Sequence, residues 1–136
     1  MSINGLLVPI SIGEVIDKIT ILEIKTERIH DKDKLENVSR ELSAVNSAIR
    51  RYGVLMESIV SLQSQLKEVN ERLWEIEDAI REKERLSEFD SEFIELARSV
   101  YLNNDERANL KRAINSQLGS DLTEEKSYAD YNATRD

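Results

Sequence analysis

Cysteine is absent from the chain. That excludes disulfides and thiolate metal sites, and it leaves the redox compartment open. Histidine occurs once, as His30, so a histidine-rich zinc site or a two-histidine HExxH motif is impossible within one chain. Four glycines and one proline in 136 residues leave few breaks for turns. No apolar run approaches the length of a membrane span. The start MSINGLLVPIS has no basic segment and too short an apolar stretch for a signal peptide, which points to a cytoplasmic protein. Positive charge is in deficit: 19 Lys and Arg face 27 Asp and Glu, a formal net charge of −8. That balance disfavours nucleic acid and anionic membrane, both of which attract basic faces. Glycine-rich phosphate loops of the GxxxxGK and GxGxxG types are missing.

What remains is rich in Glu, Lys, Arg, Leu, Ile and Ala, a helix-forming composition. The length suits one domain with a core of its own. Residues 1–10 read as an extended arm, because Pro9 fixes its own backbone and biases Val8 to extended geometry. Ser11 then caps a first helix, with Glu14 at the capping-box position. The stretch SIGEVIDKITILEIKTERI carries one apolar stripe through Ile12, Ile16, Ile19, Leu22, Thr26 and Ile29, with Val15 alongside. Ile21 and Ile24 stand on nearly the opposite side. A helix apolar on two sides is buried on two sides, between two other helices or against a second subunit.

Asp31 or Asp33 caps a second helix with a stripe at Leu35, Val38, Leu42, Val45, Ile49 and Tyr52, and Gly53 suits its C-terminus. The third helix, expected from Val54 to Arg85, has the most regular seam: Leu55, Ile59, Leu62, Leu66, Val69, Leu73, Ile76 and Ile80 alternate steps of four and three. At about 1.5 Å per residue it spans roughly 48 Å. The phase slips at Gly53, which favours an antiparallel hairpin of helices two and three over one long bent helix. A fourth helix starts after Asp90 or Ser91, with Phe89, Phe93, Leu96 and Val100 on its stripe. Asn103 and Arg107 then fall on stripe positions, so either the helix breaks there and Asp105 caps a fifth, or a polar layer lies inside the bundle. Gly119 ends the last helix. Residues 120–136 form a polar tail, partly docked through Tyr128 and Tyr131. The expected fold is all-α: an antiparallel bundle of four to five helices over residues 11–119, with a long coiled-coil-like helical hairpin.

The stretches SIGEVIDKITILEIKTERI, KLENVSREL, NERLWEIEDAIREKE, FIELARSVYLNNDERANLKRAIN and GSDLTEEKSY together resemble the bacterial family catalogued as domain of unknown function 6165. The resemblance runs from about Pro9 to Tyr128. It implies a small helical protein, sometimes encoded near envelope-polysaccharide glycosyltransferases, and it supplies no catalytic residues.

Three sets of residues could carry chemistry. Glu23 falls among isoleucines on the helical wheel, where a carboxylate needs a cation or several donors. A general acid or base with a raised pKa is one reading; an internal ionic layer that sets helix register is the preferred one. Trp74, Glu77 and Arg81 form the second set, with Glu77 and Arg81 an i, i+4 pair and Trp74 an interface or core anchor. Tyr101, Asn104, Arg107 and Lys111 form the third, whose cations could hold a phosphate or carboxylate, or could partner Glu23 and Glu77. All eight are expected to form one buried polar cluster. Acidic pairs of metal-hydrolase spacing, such as Glu75/Asp78 and Glu92/Glu95, carry no weight, since about five arise by chance in so acidic a helical chain. No catalytic, cofactor or metal residue is assigned. The expected protein is a non-enzymatic oligomerisation or interaction module, a homodimer or larger, with a possible protein partner in envelope biosynthesis. The alternative is a helical-bundle enzyme or accessory subunit acting on a small anionic or sugar-nucleotide ligand.

Overall fold

The structure, a computed structural model, describes residues 5–53 and 56–132. Ser11 opens helix α1 (Ile12–Arg28): its hydroxyl accepts a hydrogen bond from the Glu14 amide at 3.2 Å. Asp31 does the same for α2 (Lys32–Tyr52), its carboxylate accepting from the Lys34 amide at 3.0 Å. Gly53 ends α2 in the left-handed conformation, φ 78°, where a side chain is disfavoured. A 3-10 turn over Met56–Ile59 leads into α3 (Val60–Arg85), and Asp90 caps α4 (Ser91–Leu118). Among the described residues there is no strand, and no helix is long and apolar enough to cross a membrane.

The third helix starts later than its seam suggests; Leu55 and Val54 lie outside the described residues. The pairing of helices also differs from expectation. Among the described residues, α2 runs against α1 and does not come backbone-close to α3. The long antiparallel pair is α3 with α4. The reason lies in the links. Three residues between α1 and α2 fold α2 straight back on α1, and the turn at residues 86–90 does the same for α3 and α4. Helix α3 instead lies against α1 and α4.

Helix α1 is the central element, in contact with α2, α3 and α4. This is the burial that its two apolar faces require. Ile16, Ile19, Leu22 and Ile24 are all nearly inaccessible, and the core is completed by Ile49, Ile59, Leu66, Val69, Leu110 and Ile114. Residues 73–85 and 91–103 contain no fully buried side chain, so the outer part of the α3–α4 pair is a thin two-helix projection. Helix α4 runs unbroken through Asn103 and Asp105. Of the two expectations for that stretch, the polar layer is the one realised.

Candidate functional site

The layer is built where α1, α3 and α4 meet. Gly13, Asp17, Thr20 and Ile24 follow one another at steps of four, three and four, a second seam on α1, and all four are buried. Gly13 lets α4 approach closely: a Cβ there would sit 2.5 Å from the Lys111 carbonyl oxygen, a backbone atom that cannot yield cheaply. Its amide donates to Asn115 Oδ1 at 2.6 Å.

Asp17 is the buried carboxylate, 1% exposed. Arg107 of α4 grips it with two donors, Nε at 2.9 Å from Oδ1 and Nη2 on Oδ2. This is the fork geometry that a guanidinium offers and an ammonium does not. Asn70 of α3 donates to Asp17 Oδ1 at 2.9 Å and to Thr20 Oγ1 at 2.8 Å, and the Thr20 hydroxyl donates to the Asp17 carbonyl at 2.8 Å. The Asp17 hydrogen bond holds the Arg107 pKa above its ordinary value against the opposing effect of burial.

One helical turn on, Lys111 is also buried. Its ammonium lies 2.7 Å from Glu14 and also bonds Glu124 of the tail. Burial pulls the Lys111 pKa down, but the hydrogen bonds to Glu124 and Glu14 more than offset it, and the group ends above its ordinary value. The same Lys111 bond holds the Glu124 carboxyl below its ordinary value. Among the described residues no buried side-chain polar atom lacks a hydrogen-bond partner. Nor does any group of three or more His, Asp or Glu side chains there have the arrangement of a metal site.

The eight residues expected to cluster are distributed over three places. Tyr101, Asn104, Arg107 and Lys111 line one cleft of about 400 Å³ between α4 and the tail, with Glu124, Lys126 and Tyr128 on its other wall. Trp74 and Glu77 line a second hollow of about 330 Å³, which Asn104 and Arg107 also border, beside Ile21, Ile24 and Leu73. Arg81 is exposed and binds Glu77 at 3.0 Å, the i, i+4 pair. Glu23 is not the carboxylate of the layer. It is about a third exposed and lies 3.5 Å from Lys67, which prefers Glu27 at 2.6 Å. The physical reason is that, among the described residues, α2 and α3 flank α1 without coming backbone-close to each other, so the side of α1 between them is only half covered.

Asp17, Thr20, Asn70 and Asn115 were not singled out in the sequence. A signal for the first two existed: counting back from Ile24 by four and three lands on Thr20, Asp17 and Gly13. Small and polar residues on a seam are where helices approach closely and where a polar layer fits. Asn70 and Asn115 had no comparable signal.

The tail follows the same surface. Lys126 donates to the Asn104 carbonyl at 3.3 Å and lies 3.5 Å from Asp105, and the Tyr131 ring packs on Tyr101 with centroids 5.3 Å apart.

A family model described as "Family of unknown function (DUF6165)" matches residues 6–135. The chain belongs to this family. The match takes in every helix and the tail that covers the polar cleft, so the layer is part of the DUF6165 region. No curated protein and no solved structure matches the chain.

Proposed function

We propose that this DUF6165 protein is a non-enzymatic interaction module that works as a homodimer or larger homo-oligomer. One contrast carries the reading: the charges of the polar centre are paired with one another, while large apolar side chains stay exposed, most of them at the two ends of the bundle. Arg107 is bound to Asp17, and Lys111 to Glu14 and Glu124, which leaves no buried cation or carboxylate among the described residues free for substrate. Leu6, Leu7, Val8, Ile10 and Tyr52 are exposed at one end, and Leu86, Phe89 and Ile94 at the other. Large apolar side chains gathered in patches mark protein contacts. In this reading the protein acts in the bacterial cytoplasm, and its hetero-partner is a protein of envelope-polysaccharide synthesis. Light scattering over a micromolar concentration series tests it. A dimer or larger mass is expected, and a monomer mass throughout overturns self-association.

The cleft of about 400 Å³ supports a second reading, an accessory or catalytic subunit that takes a small anionic or sugar-nucleotide ligand between Tyr101, Tyr128 and Lys126. Charge weighs against it. Two cations of the layer already face three carboxylates, so an entering anion must displace Glu124. Calorimetric titration with a uridine diphosphate sugar decides: saturable heat that Lys111→Met abolishes favours this reading over the first, and no heat removes it.

A further inference from the structure

We propose that the end of the bundle formed by the arm, the C-terminus of α2 and the start of the tail is the self-association surface, and that two copies exchange arms across it. The inference rests on the oligomeric reading above and names its interface. The occupant is a second copy of this chain: Leu6 and Leu7 of each copy fill an apolar groove of the other.

The groove has a volume of about 550 Å³ and is walled by Pro9, Ile12, Val15, Ile49, Tyr52 and Leu122. Its walls are chiefly apolar, and Tyr52 leaves 73% of its surface in water. Directly preceding this wall in the chain, Leu6 and Leu7 are 87% and 94% exposed. An apolar knob and an apolar hole therefore lie side by side on one face. That is the arrangement a two-fold, self-complementary contact needs, since each copy must offer both halves.

The arm is held away from its own groove. Val8 and Ile10 are themselves exposed, and Val8 and Pro9 line the groove wall. Pro9 fixes its own φ and biases Val8 to extended geometry, so the chain before it leads outward instead of reversing onto the wall it has just formed. A second copy can be reached by such an arm more easily than the copy that carries it.

Area and charge agree with this occupant. Leu6, Leu7, Val8, Ile10, Tyr52 and Leu122 each expose on the order of 100 Å², roughly 600 Å² per copy, where a stable protein contact buries about 800 Å² per partner including its polar rim. The rim is supplied. Arg50 and Arg51, at the end of α2, bond only Ser47 and meet no carboxylate among the described residues. Asp121, on the groove's other edge, meets no cation there. Across a two-fold axis, Arg51 of one copy comes opposite Asp121 of the other. Unpaired charges of both signs beside an apolar groove select a partner with the same pattern reversed.

The absence of cysteine provides the test. Leu7→Cys and Ala48→Cys are made in separate full-length chains, mixed and mildly oxidised, and both positions are exposed so folding is undisturbed, as melting followed by circular dichroism verifies. The expected result is a covalent dimer joining one variant of each kind, enriched at least tenfold over Leu7→Cys mixed with Ser99→Cys on α4. Light scattering supplies the second arm: Leu7→Glu and Tyr52→Glu are each expected to weaken self-association at least tenfold, and Phe89→Glu at the opposite end to leave it unchanged. A dimer that survives Leu7→Glu and Tyr52→Glu but dissociates with Phe89→Glu overturns this surface and leaves the oligomeric reading intact. A monomeric wild type overturns both. A cross-link that forms only inside a chain carrying Leu7→Cys and Ala48→Cys together overturns the exchange by showing that the arm covers its own groove.

Discussion

Asp17 concentrates the stability of the layer in one side chain. It is almost fully buried, and it accepts hydrogen bonds from Arg107 and Asn70. Asp17→Ala leaves the Arg107 guanidinium and one N–H of the Asn70 amide without their acceptor; the amide keeps its bond to Thr20. Removing one partner of a buried pair typically costs about 3–5 kcal/mol, and the lower end applies because Arg107 keeps some access to water. Glu23→Ala, by contrast, removes a partly exposed contact from Lys67 and is expected to change stability by less than about 1 kcal/mol. The double variant Asp17→Leu with Arg107→Leu replaces the pair by apolar volume and is expected to be more stable than Asp17→Ala. Urea denaturation of the four proteins checks this, and equal losses for Asp17→Ala and Glu23→Ala would contradict the assignment of the buried carboxylate. Glu124 makes a further prediction at this scale. Its folded pKa lies below the ordinary 4.5 because of Lys111, so its contribution is complete above the ordinary carboxylate value and disappears as pH falls through the lower folded one. Glu124→Gln should therefore melt below wild type at neutral pH, and the two melting curves should converge in acid.

At the scale of elements, the α3–α4 turn closes by backbone geometry that its sequence does not favour. The Glu88 amide donates to the Lys83 carbonyl at 2.9 Å and the Ser87 amide to the Glu84 carbonyl at 3.0 Å. This pair of bonds is a Schellman motif, and it requires a left-handed residue at Ser87, where φ is 55°. Glycine is the usual occupant because it has no Cβ to strain. Ser87→Gly is expected to stabilise the fold by about 0.5–1 kcal/mol, the relieved strain less the greater entropy that glycine loses. Thermal or urea unfolding measures it, and a destabilised variant would show that the Ser87 side chain contributes more than its backbone position does. The turn is held from the other side by Lys83, whose ammonium lies about equally close to Glu88, Asp90 and Glu92, at 3.0 to 3.1 Å. Those hydrogen bonds, Asp90's first, raise the Lys83 pKa well above its ordinary value.

Over the whole molecule, stability should fall from the bundle's centre towards the hairpin tip. Ile16, Leu66 and Ile114 are fully enclosed, whereas residues 78–85 and 91–99 have apolar side chains that are at best partly buried and rely on two helices alone. Two helices without a third bury too little to match the cooperativity of the centre, so local opening begins there. Hydrogen exchange should show amides of residues 62–70 and 107–115 protected to the global unfolding free energy, and amides of residues 78–85 and 92–99 exchanging faster. Uniform protection along α3 and α4 would mean that something else covers the projection.

Helix content, caps and apolar stripes were legible in the amino-acid order because they depend on neighbours within a turn or two. Ser11, Asp31 and Asp90 cap the helices they precede, Gly53 and Gly119 end them, and the two apolar faces of α1 announce its central position. Which helix lies against which was decided in three dimensions, by short links that fold α2 onto α1 and α4 onto α3. The same holds for the polar layer. A helical wheel gives the angle of a side chain and not the cover above it, so Glu23 and Asp17 can both look enclosed. Only the meeting of α1 with α3 and α4 brings Asn70 and Arg107 to Asp17, while the gap between α2 and α3 leaves Glu23 at the surface beside Lys67.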